Sequence, residues 1–162
     1  MIIDIDPAKF PEDKKVVQEL FREYQQLLGI DLGFQDFEHE LASLPGRYVQ
    51  PAGNIALARL DKQVAGCICW YPMSEEVVEI KRLYVRPAFR GRNVGRMLMQ
   101  YTIESVTKAG YEKARLDSLG RLKEAANLYE SFDFKRISPY NENPLPDVYY
   151  MELDLAARKQ PA

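Results

Sequence analysis

Apolar side chains recur along this chain with two periods, and the switches between them predict its elements. Ile2–Asp6 alternates apolar and acidic residues, as a half-buried strand does. From Asp13 to Leu28 the period becomes helical: Val16, Val17, Leu20, Phe21, Tyr24, Leu27 and Leu28 share one face, and Gly29 is a stop. Phe34–Leu44 is a shorter helix carrying Phe37 and Leu41, ended by Pro45-Gly46. Ile55–Leu60 and Val64–Tyr71 are apolar runs joined by Asp61-Lys62-Gln63, which predicts a hairpin. Val77–Val85 is the next strand. Val94–Lys108 is a helix with Val94, Met97, Leu98, Tyr101 and Val106 as its stripe, stopped at Gly110. Lys113–Asp117 (strand), Lys123–Ser131 (helix), Phe134–Ile137 and Val148–Leu155 (strands) follow, with Ala156–Ala162 as a tail.

The order is β-α-α-β-β-β-α-β-α-β-β, a run of hairpins leading into a β-α-β-α-β half. That is an α/β (α+β) architecture with a mixed central sheet of about six or seven strands flanked by about four helices. No linker, repeat or low-complexity tract interrupts it, so residues 1–155 are expected to form one domain.

Charge and composition narrow the function classes. The formal net charge is −2 with cations and anions interleaved, so neither a basic stripe for nucleic acid nor a polybasic membrane segment is expected. Met1–Lys15 lacks an apolar run behind a cationic head, which argues against a secretory signal and for a cytoplasmic protein. The two cysteines, Cys67 and Cys69, lie two apart in a predicted strand, too extended to bridge easily, and are expected to be buried thiols. With His39 the sole histidine, no zinc cluster is expected, nor any other metal site. A Ser-His-Asp triad would depend wholly on His39, which falls in a polar helical stretch.

The informative stretch is Lys81–Leu98, KRLYVRPAFRGRNVGRML. A strand ends at Val85, Arg86-Pro87 breaks it, and Arg90-Gly91-Arg92-Asn93-Val94-Gly95 forms a compact turn that opens a helix. The first N–H groups of a helix have no partner inside it, and the helix dipole adds positive character there. With Arg90, Arg92 and Arg96 around it, the turn is an anion site suited to phosphate. Neither the dinucleotide fingerprint nor the Walker pattern is present.

The segment Arg90–Gly95 resembles the pyrophosphate-binding motif of the GNAT acyl-CoA N-acyltransferase superfamily, Arg/Gln-x-x-Gly-x-Gly/Ala. Ala125-Ala126-Asn127-Leu128-Tyr129-Glu130, followed by Phe134, is similar to that family's late helix. The resemblance covers roughly Val64 to Leu155, and the element order agrees with the GNAT fold. Asn93 and Asp133 stand where the family has glycines, and both are residue types that tolerate positive φ. Leu122 stands where the family often has Asn.

The resemblance implies acetyl-CoA as cosubstrate. Its pyrophosphate would lie on Arg90, Gly91, Arg92, Asn93, Val94, Gly95 and Arg96, and its pantetheine along the backbone of Leu83, Tyr84 and Val85. Asn127 would add a contact. An N–H near Leu83 would polarise the thioester carbonyl. Glu79 resembles the family's general base, against the simpler reading of a salt bridge with Lys81. Tyr129 matches the position that protonates the departing thiolate, against simple packing. The acceptor would lie among Tyr24, Phe34, Phe37, Tyr48, Tyr140 and Tyr149, with Lys81 or Arg82 available to hold a carboxylate.

The implied function is transfer of an acetyl group to the primary amine of a small molecule by direct attack, with a carboxylate or water-relayed base, an amino-acid-like acceptor fitting the two cations. A catalytically silent acyl-CoA-binding module and a peptide or protein N-acetyltransferase are the alternatives. Oligomeric state stays open, a homodimer among the options.

Overall fold

In the computed structural model, residues 2–33 and 36–158 are described. The strands are β1 (Ile3–Pro7), β2 (Asn54–Leu60), β3 (Gln63–Pro72), β4 (Val77–Val85), β5 (Lys113–Leu119), β6 (Lys135–Ile137) and β7 (Val148–Asp154). The helices are α1 (Lys14–Leu28), α2 (Phe37–Ser43), α3 (Val94–Lys108), α4 (Lys123–Ser131) and α5 (Leu155–Arg158). The strands hydrogen-bond in the order β1-β2-β3-β4-β5-β7-β6, a mixed seven-stranded sheet as expected. The chain divides into two compact units, one from Met1–Tyr71 with Arg82–Thr102, the other from Pro72–Lys81 with Ile103–Ala162.

The first unit holds β1, β2, β3 and the second half of β4. β2 is buried at nearly every position, as a strand covered on both faces must be. Val17, Leu20 and Phe21 of α1 and Phe37 and Leu41 of α2 are fully or almost fully buried, so most of the helical stripe read from the sequence faces the core; Leu27, counted in it, is exposed. α1 ends where expected: Gly29 is left-handed (φ 67°) and its N–H bonds the carbonyls of Gln25 and Gln26. The β2–β3 turn is tighter than expected. Asp61 and Lys62 both take positive φ (50° and 73°), the requirement of a two-residue hairpin turn, and Gln63 is already in the strand. α2 is shorter than expected, ending at Ser43 because Leu44, which precedes Pro45, is extended (ψ 138°). Gly66 permits close strand contact, since a Cβ there would collide with the Tyr84 carbonyl.

The second unit is built on β5. Its register with β7 runs unbroken from Lys113↔Asp154 to Leu119↔Val148, two residues beyond the predicted end of this strand, and β6 pairs with the other edge of β7. β4 joins β5 in a parallel ladder of Val77–Glu79 with Lys113–Arg115. Ala114, Leu116, Met151, Leu153, Phe132 and Phe134 form the buried apolar set. After β7 the chain forms the turn of α5, with Leu155 buried, where a tail was expected from Ala156. Among the described residues no helix is long and apolar enough to cross a membrane.

Candidate active site

The central feature of the second unit is a carboxylate held inside a strand. Glu79 lies in the β4–β5 ladder and is only 2% exposed. Its Oε2 accepts the phenol of Tyr140, and its Oε1 lies 3.9 Å from Lys81 Nζ. The Lys81 ammonium is also 3.7 Å from Asp117 Oδ1. Asp117 Oδ2 accepts from Asn141 Nδ2 at 3.4 Å, and Tyr150 donates to Asn141 Oδ1 at 2.8 Å. The Tyr140 and Tyr150 rings meet edge to face at 5.0 Å, and the Arg115 guanidinium lies 5.8 Å from the Tyr140 ring. Burial, with Asp117 and Glu79 adding to it, raises the Tyr150 phenol above its ordinary value. Glu79 and Lys81 therefore do form the ion pair weighed from the sequence, and the carboxylate is hydrogen-bonded as well.

Tyr129 sits on α4, buried, with its ring 5.9 Å from Phe134. Asn127, two residues earlier, is exposed. Asp133, at φ 71°, closes the turn after α4, so the residue that replaces a family glycine takes up the conformation that glycine would supply. Leu122 is the N-cap of α4 and makes no side-chain cap bond. Tyr149 is buried and its hydroxyl has no hydrogen-bond partner among the described residues, while Arg136 stacks 3.9 Å from its ring.

The first unit holds the proposed anion loop. Arg86 leaves β4 with its N–H on the Ala65 carbonyl and its guanidinium on Glu23 of α1. A 3-10 turn, Pro87–Phe89, follows. Gly91 (φ 80°) and Asn93 (φ 63°) are both left-handed, so Asn93 also adopts the backbone that the family assigns to glycine. The α3 ladder begins with Met97 N–H on the Asn93 carbonyl at 3.0 Å, which leaves the N–H groups of the first turn outside it. Gly91, Arg92, Asn93 and Arg96 are exposed, Gly95 is half-buried, and a Cβ on Gly91 would meet open space. A helix start preceded by two left-handed residues and edged by exposed arginines suits a phosphate group. Val94 differs: its side chain is core, so only its backbone can serve a ligand. Arg90 folds back, its Nε 3.0 Å from the Val85 carbonyl.

Leu83, Tyr84 and Val85 do not present equivalent backbones. The Tyr84 carbonyl is turned to Gly66 of β3, and strand alternation puts Leu83 and Val85 on the opposite edge. The Tyr84 carbonyl is thus turned away from the edge that Leu83 and Val85 present. The Tyr84 hydroxyl bonds Glu23 at 3.1 Å. Arg82 breaks the alternation, with φ 61° in mid-strand. It is 4% exposed, with Nε 3.1 Å from Glu40 Oε2 and its guanidinium 5.8, 5.8 and 5.5 Å from the rings of Phe21, Tyr24 and Phe37. Arg47 and the Tyr48 hydroxyl meet the other Glu40 oxygen at 3.4 and 3.1 Å. Tyr24, Phe37 and Tyr48 are thus parts of one packed cluster, and Phe34 lies outside the described residues.

Lys81 and Arg82 are both matched by carboxylates, Glu79 and Asp117 for one and Glu40 for the other. The idea that they stand ready for an acceptor carboxylate loses its charge basis. Sequence reasoning missed Asp117, Asn141 and Glu40 as partners, and named Tyr140 without its link to Glu79. Cys67 and Cys69 are fully buried free thiols, and His39 is exposed on α2. Among the described residues no group of three or more His, Cys, Asp or Glu is placed to hold a metal ion.

Comparison with known proteins identifies the family. Residues 51–136, more than half of the chain, match the model of the acetyltransferase (GNAT) domain. An uncharacterized N-acetyltransferase of Schizosaccharomyces pombe is 40% identical over 156 residues, covering 95% of this chain and 96% of its own. A GNAT acetyltransferase structure from Staphylococcus aureus superposes with a TM-score of 0.79 at 18% identity, over 95% of this chain and 99% of that one. The yncA structure from Salmonella typhimurium, described as a putative acetyltransferase with its cofactor acetyl-CoA, gives 0.73 at 17% identity over 96% and 95%. By domain match and by sequence identity, the chain belongs to the GNAT acetyltransferase family.

Proposed function

We propose that this protein transfers an acetyl group from acetyl-CoA to the primary amine of a small molecule, by direct attack, with Glu79 as general base. The observation that carries the proposal is a carboxylate 2% exposed, between Val78 and Ile80 in a strand of a GNAT acetyltransferase, hydrogen-bonded by one phenol and paired with one ammonium. An amine arrives mostly as ammonium and has to lose a proton before it attacks. A buried carboxylate whose position is set by Tyr140 and Lys81 is suited to take that proton.

Bound acetyl-CoA supplies the activated acyl group as a thioester. The chain's own residues hold it: the loop Arg90–Arg96 takes the pyrophosphate through backbone N–H groups and arginine charge. The edge of β4 at Leu83 and Val85 takes the pantetheine, and a backbone N–H there stabilises charge on the carbonyl oxygen. Tyr129 supplies the proton for the leaving sulfur. The acetyl-CoA named for the Salmonella neighbour and the open, left-handed Gly91–Asn93 turn support this assignment.

The test is Glu79→Gln. Turnover should fall on the order of a hundredfold or more while acetyl-CoA affinity is retained, with the deficit shrinking at high pH as free amine accumulates. Near-normal turnover at neutral pH would move the base elsewhere. No CoA release by the unaltered chain with any amine of a broad panel would leave a silent acyl-CoA-binding module.

A further inference from the structure

We infer that Lys81 and Asp117 form a relay that removes the proton from Glu79 after each transfer, so that Asp117 is the group that exchanges protons with solvent. The inference rests on the base assignment above and adds the route by which the base is restored. A carboxylate 2% exposed can accept a proton from an amine, but it has to lose that proton before the next ammonium arrives.

The two oxygens of Glu79 have different neighbours. Oε2 accepts the Tyr140 phenol, whose ring is set by Tyr150 at 5.0 Å and lies 5.8 Å from the Arg115 guanidinium. Oε1 faces Lys81 Nζ at 3.9 Å, and the same nitrogen faces Asp117 Oδ1 at 3.7 Å. The ammonium therefore stands between two carboxylates. Side-chain exposure rises along the row, from 2% at Glu79 through 9% at Lys81 to 11% at Asp117. Asp117 Oδ2 accepts from Asn141, which is exposed. The row leads outward.

Both separations are about 1 Å longer than a hydrogen bond, a gap that rotation of the flexible lysine stem closes on one side at a time. In the step itself, the Lys81 ammonium gives one proton to the carboxylate oxygen Asp117 Oδ1, and the neutral amine so formed takes the proton of the Glu79 carboxyl. One N–H bond breaks and another forms, the ammonium is restored, and Glu79 is a carboxylate again. Asp117, now a neutral acid, releases the proton to water. The transfer runs between like groups and needs no partner beyond solvent.

Rapid-mixing measurement of CoA release, with acetyl-CoA and amine in excess, tests the relay in Asp117→Asn and Asp117→Ser. Both variants should show a burst of about one CoA per chain at the parental rate, then a steady state slowed about tenfold or more. Added imidazole, a small diffusible base, should restore the slow phase and leave the parent chain unaffected. A structural role for Asp117 would lower burst and steady state together, with no response to imidazole, and that result overturns the relay. So does a steady state within about twofold of the parent. Thermal melting identifies the variant that keeps its fold, and the imidazole response is read on it. Glu79→Gln separates the two levels. If it turns over normally, base and relay both fall. If it is inactive while Asp117→Asn is normal, the relay alone falls.

Discussion

Replacing Glu40 by leucine isolates the most consequential buried charge in the first unit. The pair Arg82–Glu40 has side-chain exposures of 3% and 10% and a 3.1 Å contact. An exposed ion pair contributes about 0–1 kcal/mol, whereas removing one partner of a buried pair costs about 3–5 kcal/mol because the other charge is stranded. These exposures place the pair in the second class. Burial acts to lower the Arg82 guanidinium, and Tyr48 and Glu40 outweigh it, so the group stays charged and cannot escape by deprotonating. Glu40→Leu should therefore destabilise the protein by about 3–5 kcal/mol. For a chain of this length that is roughly 6–20 °C in Tm. The pair already carries a penalty, since Arg82 Nη2 is buried without a hydrogen-bond partner among the described residues, a defect of about 1–3 kcal/mol. Removing both charges in Glu40→Leu/Arg82→Met should recover most of the loss and end within about 1 kcal/mol of the parent. Urea unfolding followed by circular dichroism, with m-values compared, measures the cycle. A single-variant cost below about 1 kcal/mol, or losses that simply add in the double variant, would refute the reasoning. The same outcome would reopen Arg82 as a group available to an acceptor.

Three further outcomes are expected. Gly95→Glu puts a side chain and a negative charge into the first turn of α3, and calorimetry should show acetyl-CoA binding lost; unaltered affinity would remove the pyrophosphate from this loop. Burial pushes the Cys67 thiol up to about 12 and raises Cys69 well above its ordinary value, so a disulfide exchange reagent at pH 8 should label neither in the folded protein and both in denaturant. Because Lys81 and Arg82 already face carboxylates, amines matched in length with and without a carboxylate should differ by less than about tenfold in kcat/KM; a larger advantage for the carboxylate would return the clamp role to one of them.

The fold was legible in the sequence because its elements follow period and punctuation. Each of the eleven elements written from the pattern has a counterpart in the structure, and most boundary errors fall where local chemistry decides. The β2–β3 turn is one case: Asp61 and Lys62 accept positive φ without the glycine that usually announces a two-residue hairpin. Asn93 and Asp133 are the opposite case, predictable because Asn and Asp are the side chains that tolerate the conformation a family glycine would take.

The environment of Glu79 was far less legible, and the reason lies in how sheets are made. Alternation along β4 is a local property, so the pairing of Glu79 with Lys81 could be read from spacing alone. Asp117 comes to Lys81 only because Glu79 lies opposite Arg115 in a parallel ladder, which carries Asp117 to the position two residues further on. A shift of one residue would turn Asp117 to the other face, and nothing in either strand's own sequence fixes that choice. Tyr140 and Asn141 depend on a second long-range fact, the fold of the segment between β6 and β7, which brings consecutive residues to Glu79 and to Asp117. Arg82 adds a third: its positive φ breaks the alternation of β4 in mid-strand, and its side chain is held by Glu40, a residue far away in the sequence. A motif can name a base because its spacing is local. The groups that orient the base, and those that carry its proton away, arrive through register, loop closure and a bulge, and each of these is settled only when the strands pair.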